Sequence, residues 1–157
     1  MKRMNEKGIS LPELLAAIVL TAIIGAIAYM ILFTGLKTNE RVQVESQLRD
    51  EADLIMAQLI EDLYTLHSNE IEEKHLPEEN TNNYYLVTKS GDYIGFINGT
   101  VHYQNGENVL NSRIQLDETK SKIVESSTDL FEITLALTDE HTGQTLEVES
   151  NISVIRD

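Results

Sequence analysis

Apolar positions follow two different patterns in the first 66 residues. From Leu14 to Leu36 no charged residue occurs, and a helix of this length extends about 35 Å, enough to cross a bilayer. Further along, apolar residues recur every third or fourth position, with charged residues between them. That spacing predicts an apolar stripe on a half-buried helix. The stripe consists of Val44, Leu48, Ala52, Ile55, Leu59, Leu63 and Leu66.

The two patterns predict one helix from about Pro12 to about Leu66, roughly 80 Å long. Its first half suits lipid, and its second half needs an apolar surface to cover the stripe. The following segment, 68–83, is polar and rich in Glu, and it contains Pro77. We interpret it as a solvated loop, since it lacks the Asp-rich pattern of a calcium loop.

Beyond residue 83 the hydrophobic period changes to two, which predicts β-strands. Short apolar and aromatic runs occupy 85–87, 93–97 and 100–104, and the turns after the last two contain Asn98-Gly99 and Asn105-Gly106. Asn-Gly readily supplies the two positive φ angles of a type I′ turn. These runs therefore predict an antiparallel meander.

The carboxy-terminal segment 129–155 alternates most regularly, around a turn at His141-Thr142-Gly143. One face of the predicted hairpin carries Phe131, Ile133, Leu135, Leu137, Leu146, Val148, Ile152 and Val154. A sheet with one apolar face and a helix with one apolar stripe can cover each other. We therefore expect an α+β fold in which an antiparallel sheet packs on the helical stripe.

Composition and charge narrow the possible functions. The chain has 157 residues, room for one core, with 12 Lys and Arg against 26 Asp and Glu, a formal charge of −14. The acidic excess repels phosphate, so we expect no direct nucleic-acid binding. The absence of Cys excludes disulfides and thiol chemistry. No phosphate-binding loop, nucleophile motif or metal-ligand spacing occurs, so the sequence predicts neither an enzyme nor a cofactor.

Basic residues before the apolar stretch predict its orientation. Lys2, Arg3 and Lys7 precede it, with Glu6 as the one opposing charge. The positive-inside rule then places the amino terminus in the cytoplasm. We expect a single-pass protein of the cell membrane whose acidic portion from Lys37 onward lies outside the cytoplasm.

The amino-terminal motif is Lys7-Gly8-Ile9-Ser10-Leu11-Pro12-Glu13. A basic leader ending in Gly, with Glu five positions later and then an apolar stretch, resembles the processing signal of type IV prepilins and pseudopilins. The resemblance implies a pilin-like fold with a leader at 1–8, an assembly half-helix at 9–36, an amphipathic half-helix at 37–67 and a β domain at 68–157.

The same resemblance implies processing and partners. A prepilin peptidase would cleave between Gly8 and Ile9 and methylate the amine of Ile9. Other pilins or pseudopilins would be the partners, in a filament serving type II secretion, competence or a pilus. The layout is similar to minor pilins and, more narrowly, to J-type minor pseudopilins.

Glu13 is the one charge left in the apolar region after such cleavage. An intramembrane carboxylate needs a cation, and at about 4 Å and a dielectric near 20 the pair is worth on the order of 4 kcal/mol before desolvation. The resemblance implies that Glu13 of one subunit meets the amine of Ile9 of its neighbour. Removing Lys2, Arg3 and Lys7 also removes about 2.5–3.5 kcal/mol or more for each cation drawn into lipid.

Other interpretations use the same residues. Ser10 and Glu13 fit a capping box, a role compatible with assembly. Ala26-Ile27-Ala28 has the small-x-small form of a secretory cleavage site, so a signal peptidase cut after Ala28 is one alternative. The other is an unprocessed single-pass anchor that carries an extracellular binding domain.

Overall fold

The computed structural model describes residues 10–76, 82–108 and 110–156. The chain divides into two compact units, the first ending at Val42 and the second beginning at Gln43. The helix α1 comprises Leu11–Thr65, and a short 3-10 turn follows at Ser68–Glu70. The predicted helix is confirmed, with each end within one residue of its expected position.

In the described part of the second unit, nine strands form two antiparallel sheets. The first sheet contains β1 (Ile71–His75), β2 (Tyr84–Thr88), β3 (Tyr93–Ile97), β4 (Thr100–Tyr103) and β5 (Gly106–Glu107), in that order. The second contains β6 (Ile114–Leu116), β7 (Lys122–Ser127), β8 (Leu130–Asp139) and β9 (Thr145–Ser153). Strand β8 is its centre, pairing with β9 along one edge and with β6 and β7 along the other.

The core of the second unit lies between the helical stripe and the two sheets. All seven stripe residues are buried, at 3% exposure or less. They share one apolar cluster with the inner faces of both sheets. The sheet residues of this cluster include Leu86, Ile94, Phe96, Val101, Phe131, Ile133, Leu135 and Leu137. The α+β fold, with antiparallel sheets packed on the stripe, is therefore confirmed.

The two Asn-Gly steps differ in the structure. Asn98 and Gly99 have φ angles of 48° and 75°, as the predicted type I′ turn between β3 and β4 requires. The prediction for the second step was wrong, because Gln104 and Asn105 form the turn, while Gly106 pairs with Tyr103 as the first residue of β5. Asn105 does not have a positive φ.

The loop predicted for 68–83 was also partly wrong, because it contains β1. Residues Glu72 to His75 are exposed, and β1 pairs with β2 alone, at the edge of the sheet. An edge strand held by backbone hydrogen bonds buries little side chain and therefore shows no apolar alternation.

The strand β8 departs from the prediction of a single apolar face. Thr134 and Ala136 are buried, as are Ile133, Leu135 and Leu137 on the predicted apolar face. The segment between β6 and β7 crosses the edge of β8 there, and the Ser121 hydroxyl both donates to the Ala136 carbonyl at 3.2 Å and accepts from its N–H at 3.0 Å. Ser121 therefore bonds to β8 at the point where its neighbour along this edge changes from β6 to β7.

Candidate membrane and assembly segment

The amino-terminal end of α1 is defined by Ser10. Its carbonyl oxygen accepts hydrogen bonds from the backbone N–H groups of Glu13 at 3.0 Å and Leu14 at 3.1 Å, which is the geometry of an N-cap position. Among the residues described, the side chains of Ser10 and Glu13 do not form the reciprocal hydrogen bonds of a capping box. The cap therefore acts through the backbone.

Glu13 lies in the first turn of α1 with an exposed carboxylate. A negative charge is favourable there, because the first N–H groups of a helix carry partial positive charge. The other predicted site residues, which are Lys2, Arg3, Lys7, Gly8 and Ile9, lie outside the described residues. In sequence, Glu13 follows Ile9 by four residues.

The surface of α1 from Leu11 to Leu36 is apolar and exposed. None of its side chains is buried, and Leu15, Leu20 and Ile27 are 55–60% exposed. Within the described part of the chain, α1 is the one helix long and apolar enough to cross a membrane. Water disfavours a continuous apolar surface of this size, so the segment fits membrane anchoring.

Threonine hydroxyls inside this segment are satisfied by the helix itself. The hydroxyls of Thr21 and Thr34 donate to the carbonyl oxygens of Ala17 and Met30, each at 2.8 Å. A hydroxyl that bonds the carbonyl four residues earlier brings no unpaired donor into lipid.

The far end of the apolar segment carries an aromatic and cationic cluster. The rings of Tyr29 and Phe33 stack with centroids 6.0 Å apart, and the Lys37 ammonium lies 4.8 Å from the centre of the Phe33 ring. Aromatic rings and a lysine at the end of an apolar helical segment are typical of a membrane–water interface. The sequence analysis overlooked this i, i+4, i+8 pattern.

The described residues of the second unit include no group of three or more His, Asp or Glu side chains that could hold a metal ion. The pKa of Glu125 is lowered by a hydrogen bond from the Lys74 side chain, and that of Asp117 by one from the Thr119 hydroxyl. These contacts belong to the packing of strands and turns.

Two further pKa shifts occur in the second unit. The pKa of Asp139 is lowered by hydrogen bonds from the backbone and hydroxyl of Thr142 in the β8–β9 turn. Burial raises the pKa of Tyr103 to about 12. Neither group lies among neighbours arranged for proton transfer to a substrate.

Comparison with known families concerns the amino-terminal segment. Residues 3–29 match the family model described as the prokaryotic N-terminal methylation motif. This motif is the signal of type IV pilins and pseudopilins, and the chain carries it. No curated protein and no solved structure gives a significant match to the chain. The architecture is pilin-like: one long helix is apolar at its amino-terminal end, and its later stripe packs on antiparallel sheets.

Proposed function

We propose that the chain is a minor pilin or pseudopilin, a structural subunit of a type IV pilus-like filament. The observation that carries this proposal is the placement of the matched signal. It ends inside the exposed apolar stretch of α1 from Leu11 to Leu36, whose one charge is Glu13, and a separate unit with its own core begins at Gln43. A subunit that moves from membrane to filament requires both parts.

Processing is the first step of the proposed function. A prepilin peptidase cleaves between Gly8 and Ile9 and methylates the new amine. Cleavage removes the leader 1–8 with Lys2, Arg3 and Lys7, which otherwise resist extraction from the membrane because cations are costly in lipid. The remaining chain comprises the assembly half-helix 9–36, the amphipathic half-helix 37–67 and the β domain 68–157.

Assembly is the second step, and it depends on Glu13. In the first turn of α1 this carboxylate lies close in sequence to the amine created at Ile9. An incoming subunit places its Glu13 against the amine of Ile9 in its neighbour, which fixes the axial stagger between them. Low local dielectric strengthens the attraction to the order of 4 kcal/mol before desolvation.

Location and partners follow from these steps. Before assembly the chain spans the cell membrane once, with its amino terminus in the cytoplasm and its β domain outside. Its partners are the peptidase and other pilins or pseudopilins, and neither a cofactor nor nucleic acid takes part. The long final hairpin favours a J-type minor pseudopilin of a secretion system or a related minor pilin of a competence or pilus system.

A second candidate function is a single-pass anchored binding domain that escapes the peptidase. The Tyr29, Phe33 and Lys37 cluster favours this candidate, because an interfacial cluster holds a helix at one depth in a membrane. The two candidates differ in the amino terminus of the mature chain and in the role of Glu13.

Intact mass spectrometry of membrane-extracted protein tests the proposal. The chain is produced with an active prepilin peptidase, and in parallel with an inactive peptidase or as the Gly8→Leu variant. Active peptidase is expected to give a mass that lacks residues 1–8 and carries one added methyl group, whereas both controls keep the leader. A chain that begins at Met1 under all conditions supports the anchored domain, and one that begins at Tyr29 supports secretion.

A further inference from the structure

Four aromatic side chains form a row across the first sheet, one from each of β1 to β4. The rings of His75 and Tyr85 stack with centroids 4.4 Å apart. The Tyr85 and Tyr93 centroids are 5.7 Å apart, and those of Tyr93 and His102 are 6.5 Å apart. We call these four residues the aromatic platform.

The platform lies on the face of the sheet turned away from the core. The opposite face of the same strands contributes Leu86, Ile94, Phe96 and Val101 to the core, each at 1% exposure or less. By contrast, Tyr93 is 46% exposed, as is the side chain of His75, and the side chain of His102 is 24% exposed. Aromatic rings that contribute so little to the core remain accessible to a partner.

Gly95 accounts for the continuity of the platform. It is the register partner of Tyr85 on one side and His102 on the other, so this row has no side chain at its centre. Tyr93, two residues earlier on the same strand, contacts the rings on both sides. A side chain at 95 is excluded, because φ is +136° and a Cβ would lie 2.8 Å from the Cα of Tyr85.

Carboxylates border the platform at both ends. An oxygen of Glu73 lies 3.0 Å from Nε2 of His75, and one of Glu107 lies 4.0 Å from Nε2 of His102. Both glutamate side chains are 63% exposed. Beyond His102 a cleft of about 500 Å³ is lined by Asp92, Gln104, Asn105 and Glu107 together with Tyr93 and His102.

Among the residues described, two lysines close to these strands in sequence do not pair with Glu73 or Glu107. Lys74 belongs to β1 but pairs with Glu125 of the second sheet at 2.8 Å. Lys89, in the turn after β2, lines a different cleft with Glu70. The platform therefore combines partly exposed aromatic rings with negative charge that is open to a cation from outside.

We propose that the aromatic platform binds a basic segment of a partner protein. The faces of aromatic rings attract cations, and a guanidinium also stacks on them in parallel while its N–H groups bond to carboxylates. Arginine side chains stack on Tyr85 and Tyr93, and Glu73, Asp92 and Glu107 hold the charges in place. Charge complementarity steers the partner to this face, since the chain carries a net charge of −14.

The spacing of the rings fits an extended peptide. Alternate side chains on one face of a strand lie about 6.6 Å apart, close to the 5.7 Å and 6.5 Å that separate successive ring centroids. A segment with arginine at every second position can therefore place successive cations along Tyr85, Tyr93 and His102. A neutral glycan can stack on the same rings, but it gains nothing from the net charge of the carboxylates, so we favour the basic segment.

Fluorescence anisotropy with labelled peptides tests this inference. The full chain is held in nanodiscs of phosphatidylcholine, a lipid without net charge, so that the membrane itself does not attract the probe. One peptide alternates serine and arginine, and its counterpart carries citrulline, the neutral analogue of arginine. We expect the arginine peptide to bind and the citrulline peptide to bind at least several-fold more weakly.

Paired variants locate the binding. Tyr93→Ala is expected to weaken binding roughly two- to fivefold, the value of one exposed cation–π contact. Tyr64→Ala removes an exposed tyrosine on α1, away from the platform, and should leave binding unchanged. Glu107→Gln should weaken binding and increase dissociation at moderate salt, while Glu149→Gln on β9, an equal change in net charge, should not.

Three outcomes would overturn the inference. Equal binding of the arginine and citrulline peptides would show that charge is not recognised. Equal effects of Glu107→Gln and Glu149→Gln would indicate general attraction to an acidic protein. Tighter binding of a neutral oligosaccharide than of the arginine peptide would assign the platform to glycans. None of these outcomes depends on cleavage at Gly8, so the test is independent of the proposed filament function.

Discussion

The two parts of α1 use apolar residues in opposite ways. From Leu11 to Val42 none of the helix is buried by the rest of the chain, whereas from Val44 onward one stripe is almost completely buried. Backbone geometry is helical in both parts. The distribution of apolar side chains, on all sides or on one side, therefore decides whether a helix meets lipid or the core of a domain.

Acidic residues in the two parts of α1 also differ in burial. Glu13 is exposed at the start of α1, and among the described residues no basic side chain pairs with it. Asp62 is 5% exposed, and its carboxylate accepts the backbone N–H of Gln104 at 2.8 Å and the Nε2 group of Gln58 at 3.2 Å. Asp62 helps to join α1 to the β4–β5 turn, while the carboxylate of Glu13 remains exposed.

The largest expected effect on stability comes from the buried stripe. Leu59→Ala creates a cavity in the core and should lower the free energy of unfolding by about 2–5 kcal/mol. Leu20→Ala, at a position 60% exposed, should change it by less than about 0.5 kcal/mol. Urea unfolding of the full chain in detergent micelles, followed by tyrosine circular dichroism, measures both. Equal losses would contradict the division of the helix into two environments.

A smaller effect is expected at Asp62. Asp62→Ala leaves the N–H of Gln104 without its acceptor and should cost about 1–3 kcal/mol in the same unfolding measurement. The control is Asp53→Ala, which removes an exposed carboxylate from the same helix and should cost less than about 0.5 kcal/mol. If both variants unfold at the same urea concentration, Asp62 does not help to join α1 to the β4–β5 turn.

The smallest effect concerns pH and the Lys74–Glu125 pair between the sheets. The pKa of Glu125 is lowered in the folded chain from its ordinary value of 4.5, so the pair stabilises at neutral pH and this contribution is lost as pH falls below about that value. Because the side chains are 33% and 23% exposed, we expect less than about 1 kcal/mol.

Unfolding at pH 7 and pH 4 checks this expectation. The loss of stability between the two pH values should be smaller in Glu125→Gln than in the unaltered chain. Glu149→Gln, an exposed change on β9, should leave the loss as it was. A loss in Glu125→Gln equal to that of the unaltered chain would exclude this pair as a source of acid sensitivity.

Much of the fold could be predicted because buried apolar residues recur along the sequence with the period of the helix or strand that contains them. The stripe from Val44 to Leu66 has such a period, whereas the apolar part of α1 was predicted from its uncharged length and the turn at Asn98-Gly99 from its residue types. The strand β1 could not be predicted in this way, since a polar edge strand is held by its backbone. The change of partner from β6 to β7 along the edge of β8 could not be predicted either, since the Ser121 hydroxyl there bonds to Ala136, 15 positions away in sequence.

The two candidate sites also differ in how far the sequence alone could predict them. The motif around Glu13 is local, so the sequence alone indicated it and the family model matched the same segment. The aromatic platform requires the register of four strands, and Tyr85, Tyr93 and His102 come together only once β2, β3 and β4 are paired. Alternation placed these residues on strands without showing that they meet on one face.

Filament incorporation of a Glu13 variant tests the central claim most directly. In cells with an active assembly machinery, Glu13→Gln should be processed and retained in the membrane, yet its amount in sheared filaments should fall at least about tenfold, as expected when an ion pair of several kcal/mol is lost. Glu40→Gln, which neutralises an acidic residue beyond the apolar stretch of the same helix, should be incorporated normally. Equal incorporation of the two variants would contradict the claim that the carboxylate at position 13 joins one subunit to the next.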